Sequence, residues 1–90
     1  MPNYNFIDEN SSTQVLDGTL GDKLMRLVII PLKNNTGTVS IKDGSDDAII
    51  VYKSIVTLDS FVLELGARAN NTGGWTVITG ADVQCLAVGE

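Results

Sequence analysis

The chain has 90 residues, which is enough for one compact domain with a modest core, since a domain of this size buries only about 60% of its unfolded surface. Cys85 is the only cysteine and histidine is absent, so an intrachain disulfide is excluded and a structural zinc site lacks ligands. The formal net charge of −5 disfavours nucleic acids and anionic membranes as partners. Association between subunits remains as the extra source of stability.

Residues 1–20 are rich in Asn, Ser, Thr and Asp and contain only scattered apolar residues. We expect this segment to bury little surface against its own domain. Two interpretations stay open: a disordered tail, or an extended N-terminal arm whose Tyr4, Phe6 and Ile7 dock on a neighbouring subunit. The segment lacks the features of a signal peptide, and the chain has no apolar run of membrane-spanning length. We therefore expect the chain to stay in a reducing cytosol or in a particle assembled there.

Residues 21–90 are predicted to form a single β-rich domain. Residues 24–30 are a dense apolar run rich in β-branched side chains, which predicts a buried strand, and Pro31 fits only a strand end or a sheet edge. Further short apolar or alternating segments follow, separated by turns that contain Asn, Asp and Gly. The predicted strands are 24–30, 38–42, 48–52, 61–65, 75–78 and 83–88.

Six short strands at close spacing predict an all-β fold, either a small antiparallel β-sandwich of jelly-roll type or a small barrel. In the strand 61–65, Phe61, Leu63 and Leu65 are predicted to share the core face. The one helical candidate, residues 55–60, contains β-branched side chains that argue against a helix. The predicted organisation is thus an arm at residues 1–20 and a β-sandwich domain at residues 21–90.

An internal repeat is visible when the chain is shifted by 36 residues, which aligns residues 24–54 with 60–90. The seven identical pairs are Leu27/Leu63, Asn34/Asn70, Asn35/Asn71, Thr36/Thr72, Gly37/Gly73, Gly44/Gly80 and Asp46/Asp82. This pattern favours two similar three-stranded units packed with approximate two-fold symmetry. The alternative is convergence, because any such turn would use Asn and Gly.

Catalytic residues are not apparent in the sequence, because acid–base chemistry near neutral pH most often uses histidine. Asp43, Asp46 and Asp47 form one acidic loop. We interpret it as a solvated turn; the alternatives are a site for a hard cation such as calcium and the carboxylates of a small hydrolase. We expect no catalytic, cofactor-binding or metal-binding residues and no cofactor.

Trp75 is the only tryptophan, and its position beside a turn and within an apolar segment favours a core anchor. The alternatives are a surface platform that stacks on a sugar and a contact residue in an interface. Cys85, which lies in an apolar strand, is predicted to be a small core residue.

Several segments resemble one family. They are Gly-Asp-Lys-Leu at 21–24, Val-Ile-Ile-Pro at 28–31, Gly-x-Val-Ser-Ile-x-Asp-Gly at 37–44, Leu-Gly at 65–66, Gly-Trp-x-Val-x-Thr-Gly-Ala-x-Val at 74–83 and Ala-Val-Gly at 87–89. Together they resemble small β-rich virion proteins of tailed bacteriophages, which decorate or cement the head. The resemblance covers residues 21–89 and leaves residues 1–20 outside.

The resemblance implies a β-sandwich or jelly-roll module that forms a homo-oligomer, often a trimer, on the outside of the capsid, where the major capsid protein is its partner. It also implies that residues 1–20 reach along the shell or into a neighbouring subunit. It assigns no site residues, because no individual contact is marked by a motif.

The leading hypothesis is therefore a capsid decoration or cement protein, not an enzyme, located on the exterior of a virion that is assembled in the host cytoplasm. The alternative is a fibre or spike module that recognises a host surface glycan, with Trp75 or Tyr52 as the stacking platform. A small hydrolase that uses the acidic loop is the third hypothesis.

Overall fold

The structure is a computed structural model that describes residues 3–33, 37–53 and 60–90. These residues form strands and turns without a helix, which confirms the predicted all-β class. The strands are β1 (Asn3–Ile7), β2 (Ser12–Gln14), β3 (Lys23–Pro31), β4 (Val39–Asp43), β5 (Ile49–Tyr52), β6 (Phe61–Arg68), β7 (Trp75–Thr79) and β8 (Val83–Gly89). The six strands predicted from the sequence correspond to β3 to β8. Residues 34–36 of the first Asn-Asn-Thr-Gly turn, and 55–59 of the helical candidate, lie outside the described residues.

The eight strands form two four-stranded antiparallel sheets that pack as a β-sandwich. Sheet 1 has the order β1-β8-β3-β6, and sheet 2 has the order β2-β7-β4-β5. The pairs β1·β8, β2·β7, β3·β6 and β4·β5 are nested, as in one long antiparallel ribbon folded over on itself. This is the strand order of a jelly roll. Within the described residues, nothing helical is long and apolar enough to cross a membrane.

The core lies between the inner faces of the two sheets. Alternation with a period of two places one set of side chains of β7 and β8 inward. The buried core residues are Ile7, Val15, Leu24, Leu27, Ile29, Val39, Ile41, Tyr52, Ala69, Trp75, Val77, Val83, Cys85 and Ala87. Leu63 and Leu65 pack against this core, as predicted, while the side chain of Phe61 lies outside the described part of the chain. Pro31 ends β3, where its missing N–H costs no central ladder bond.

Residues 3–20 differ from the predicted arm, because they belong to the sandwich. The strand β1 pairs with β8 along its whole length, and β2 pairs with β7. Ile7 and Val15 are buried in the core of their own chain. The Asn5 side chain also accepts a hydrogen bond from the Leu16 N–H at 3.0 Å. The segment is polar because both of its strands lie at sheet edges, where half of the side chains face solvent.

The internal repeat has a geometric counterpart in the sandwich. Leu27 and Leu63, 36 residues apart, are register partners in β3 and β6, and Ile41 and Val77 are partners in β4 and β7. The backbone bonds follow the same relation. The Gly44 N–H donates to Gly74 O, the Gly80 N–H donates to Thr38 O, and both distances are 2.8 Å. The correspondence between the two repeats does not extend to their third strands, β5 and β8. The strand β5 pairs with β4 in sheet 2, whereas β8 lies in sheet 1 beside β3.

Candidate functional site

The outer face of sheet 1 is the most unusual surface of the described structure, because it is apolar where a two-layer sandwich presents polar side chains to water. Its apolar members come from all four strands. They are Tyr4, Phe6 and Val62, which are exposed, Val28, Ile30 and Leu86, which are half-buried, and Val88, which is 5% exposed. We call this set the apolar outer face. It is the candidate functional site.

The register places these side chains in rows that run across the sheet. Phe6 lies opposite Leu86, Leu86 opposite Val28, and Val28 opposite Val62, so one apolar row spans β1, β8, β3 and β6. Phe6 is 59% exposed and Val62 is 49% exposed, and they stand at the two ends of this row. A continuous row of this kind across a sheet is typical of a surface that is covered by another protein.

The neighbouring row mixes apolar and charged groups. It runs from Tyr4, which is 65% exposed, through Val88 and Arg26 to Glu64. The Arg26 Nε lies 3.4 Å from Glu64 Oε1, which balances the two charges on the surface. Because both side chains are solvent-accessible, this ion pair contributes little to folding stability. The ion pair makes the surface next to the apolar row electrically neutral.

The two ends of the apolar outer face differ in charge. Beyond Arg26, the next outward pair is Lys23 and Arg68, which are register partners in β3 and β6. At the opposite end, Gln84 donates to the Asp8 carboxylate at 2.9 Å. This hydrogen bond, followed by one from the Glu9 N–H, lowers the pKa of Asp8 against a small opposing effect of burial. The face thus has a basic end and an acidic end.

Sheet 2 presents a different outer face. Its rows are Ser12-Ile78-Ser40-Ile50 and Gln14-Thr76-Lys42. Polar side chains therefore outnumber apolar ones on this side, as expected for a sheet face in water. Because of this contrast, the candidate site is assigned to sheet 1 and not to sheet 2.

The acidic loop between β4 and β5 is engaged in holding a neighbouring turn. The Asp43 carboxylate accepts the backbone N–H groups of Asn70 at 2.8 Å and Asn71 at 3.1 Å. The Asn71 side-chain amide donates in return to Asp43 O and, at 2.8 Å, to the Asp46 carboxylate. Asp47 is exposed. These hydrogen bonds make the loop a structural clasp on the turn. No group of three metal-ligating side chains occurs among the described residues.

Both aromatic rings predicted as glycan platforms are buried. Trp75 is 6% exposed, and its indole N–H donates to Asp22 O at 3.1 Å and to Ala67 O at 3.2 Å. Tyr52 is 4% exposed. The core-anchor interpretation of Trp75 is confirmed, and the prediction that Trp75 or Tyr52 stacks on a sugar is wrong, because a buried ring presents no face to a ligand.

Cys85 is fully buried in the core, as predicted. Burial raises the pKa of its thiol to about 12, so the thiolate required for nucleophilic chemistry is not populated near neutral pH. No cavity that could hold a small ligand lies between the described residues.

The sequence contained a signal for the apolar outer face that the strand predictions did not use. A strand with one face in water alternates, but residues 27–30 are apolar without interruption and residues 85–88 are nearly so. Central strands of an antiparallel sandwich with this pattern have apolar side chains on both faces. In this sheet the outward members of the two runs are Val28, Ile30, Leu86 and Val88.

Comparison of the chain with protein-family models, with characterised proteins and with solved structures found no match.

Proposed function

We propose that this chain is a non-enzymatic structural protein of a bacteriophage virion, which binds to the outside of the capsid and stabilises it as a decoration or cement protein. The observation that carries the proposal is the apolar outer face of sheet 1. A surface of this kind is suited to protein contact, since its free energy gain comes from removing apolar area from water and requires no turnover.

The charge distribution of the sandwich is also suited to this role. The net charge of −5 keeps separate copies soluble, and the Arg26–Glu64 pair leaves the middle of the binding face neutral. A bound copy adds contacts that exist only in the assembled shell, and mass action then stabilises the shell against disassembly. Identical copies bound side by side or in pairs increase the total binding strength without requiring a strong individual contact.

The test is association with phage heads. Phage particles are separated on a density gradient, and the chain is quantified in each fraction by mass spectrometry. We expect the chain to comigrate with heads, and purified chain added to heads that lack it to raise the temperature at which they release DNA. A chain that never comigrates with heads would contradict the proposal, and binding on a glycan array instead would favour the fibre or spike module.

A further inference from the structure

We propose that the free edge of β1 is a docking site for a second copy of this chain, whose own β1 pairs with it antiparallel about a two-fold axis perpendicular to sheet 1. Sheet 1 ends at β1, so the sheets of the two copies join into one continuous sheet. The inference goes beyond the proposed function, because it uses the edge of sheet 1 and leaves the apolar outer face free. The unit is a dimer, unlike the trimer that the resemblance implies, since a strand pairs antiparallel with its own copy only about a two-fold axis.

The first argument comes from the edge strands of the sandwich, which are β1 and β6 in sheet 1 and β2 and β5 in sheet 2. Natural sheets block unwanted pairing with short strands, bulges and charged side chains. The strand β2 has three residues, and β5 has an irregular register with β4. The strand β6 has an extra residue between Glu64 and Ala67, where Gly66 has a φ of 63°, and Glu64 and Arg68 are charged. Among the described edge strands, only β1 pairs with its neighbour over five residues without a shift or a charge.

The second argument is the direction of the backbone groups of β1. Lys23 and Glu90, which follows β8, exchange both of their backbone hydrogen bonds, at 2.8 and 2.9 Å. Because these directions alternate along a strand, the even-numbered residues of β8 bond to β3 and the odd-numbered ones bond to β1. The register then pairs β8 with the odd-numbered residues of β1. The backbone N–H and C=O groups of Tyr4 and Phe6 therefore point toward the free edge of the sheet.

The third argument is that β1 is complementary to its own copy. When the axis passes through Asn5, Tyr4 of each copy lies opposite Phe6 of the other, and each such pair exchanges both backbone hydrogen bonds. The same register places these aromatic side chains next to each other on the outer face of the joined sheet. Tyr4 is 65% exposed and Phe6 is 59% exposed in a single copy. Cross-strand aromatic pairs of this kind stabilise an antiparallel ladder.

The fourth argument is charge. Each copy has a net charge of −5, so two copies repel each other and associate best where charged side chains are absent. Residues 3–7 contain no charged side chain. An edge contact of five residues on each side is smaller than a standard interface, so we expect a weak dimer in solution. The outer faces of the two copies lie on the same side of the joined sheet, with Tyr4 and Phe6 of both copies at its centre.

The experiment removes backbone donors from the edge and spares the bonds between β1 and β8. Tyr4→Pro and Phe6→Pro each delete an N–H that points away from β8, a position where a strand tolerates proline. We expect each to weaken dimerisation by at least about 10-fold. Tyr4→Ala and Phe6→Ala remove the same rings but retain the N–H, so they should weaken it less. The matched control is Val62→Pro at the other edge of sheet 1, where the N–H points away from β3 and dimerisation should be unchanged.

Sedimentation equilibrium measures association, and circular dichroism shows whether each variant is folded. The wild type should approach twice 9.6 kDa as its concentration rises. Hydrogen exchange gives a second measurement that requires no variant. The amide hydrogens of Tyr4 and Phe6 should become more protected as the wild-type concentration rises, whereas that of Val62 should not. This measurement decides the question if a proline variant fails to fold.

Three results would overturn the inference: a wild type that stays monomeric at millimolar concentration, a dimer that persists in both proline variants, and equal losses in the alanine and proline variants. The third result would assign the contact to side chains of the outer face instead. A monomeric wild type that still sediments with phage heads would contradict this inference alone. A dimer that never comigrates with heads would contradict only the proposed function.

Discussion

Trp75 donates its indole N–H to the carbonyl oxygen of Asp22, which lies 53 residues earlier in the chain, at a distance of 3.1 Å. The same N–H lies 3.2 Å from Ala67 O. This one side chain therefore links the loop before β3, the end of β6 and the start of β7. We expect Trp75→Phe to retain most of the packing and lose the donor, at a cost of about 1–3 kcal/mol. Urea unfolding followed by circular dichroism checks this, and an unchanged midpoint would contradict it.

The Asp22 carboxyl group is expected to make the folded protein less stable in acid. Burial alone raises the pKa of its carboxyl, but hydrogen bonds from Thr19, Gly18 and Asp17 lower it by more, so the pKa is below its ordinary value of 3.8. Because the folded state favours the ionised form, this stabilisation is complete near neutral pH and is lost as the pH falls below about 3.8. Asp22→Asn should be less stable than the wild type at neutral pH.

The difference between Asp22→Asn and the wild type should shrink when unfolding is measured at progressively lower pH. Asp47→Asn is the matched control, because Asp47 is an exposed carboxylate. An Asp22→Asn variant whose disadvantage is the same at every pH would show that the carboxylate is not the source of the effect.

Gly74 and Gly66 form a matched pair of glycines with positive φ, at 64° and 63°. A Cβ at Gly74 would lie 2.8 Å from Thr19 N and 2.9 Å from Thr19 O, whereas a Cβ at Gly66 meets nothing within 4 Å. We expect Gly66→Ala to cost about 1–2 kcal/mol through its backbone conformation alone. Gly74→Ala should cost at least about 1–3 kcal/mol more, because backbone must move. Thermal unfolding of both variants gives the comparison, and equal losses would contradict it.

Asp43 is expected to stabilise the sandwich without a metal ion. Asp43→Ala leaves the N–H groups of Asn70 and Asn71 without their acceptor and should cost about 1–2 kcal/mol, as the loss of a helix-capping carboxylate does. Asp47→Ala should leave the free energy of unfolding within about 0.5 kcal/mol of the wild type. Denaturant titrations with calcium and with a chelator complete the test. A midpoint raised by calcium in the wild type, and not in Asp43→Ala, would identify a cation site instead.

Cys85 should be chemically silent in the folded protein. Its thiol is buried, so a reagent cannot reach it in the folded protein. Its pKa is raised to about 12, so the reactive thiolate is not populated near neutral pH. A thiol reagent should modify it only at the rate of unfolding, and the rate should rise in urea at the unfolding transition. Fast modification without urea would show that β8 opens locally.

Much of the fold could be predicted from the local pattern of the chain. The alternation of apolar side chains and the Asn- and Gly-containing turns identified all six strands between residues 21 and 90, because a strand's period of two is a local property. Residues 3–20 could not be assigned in this way. A polar edge strand has the same composition as a disordered segment, and only its pairing with β8 or β7 distinguishes the two.

The candidate site could be predicted from the sequence only in part. The unbroken apolar run at 27–30 already indicates that both faces of β3 are apolar, and composition by itself excluded a disulfide and left Cys85 to the core. The tertiary structure decided which side chains face outward together, since Phe6, Leu86, Val28 and Val62 become one row only through the register of four strands from distant parts of the chain. It also decided between the core and surface alternatives for Trp75 in favour of the core, and it placed Tyr52 in the core. Local periodicity follows from backbone geometry, whereas a surface depends on long-range pairing, which no stretch of sequence specifies on its own.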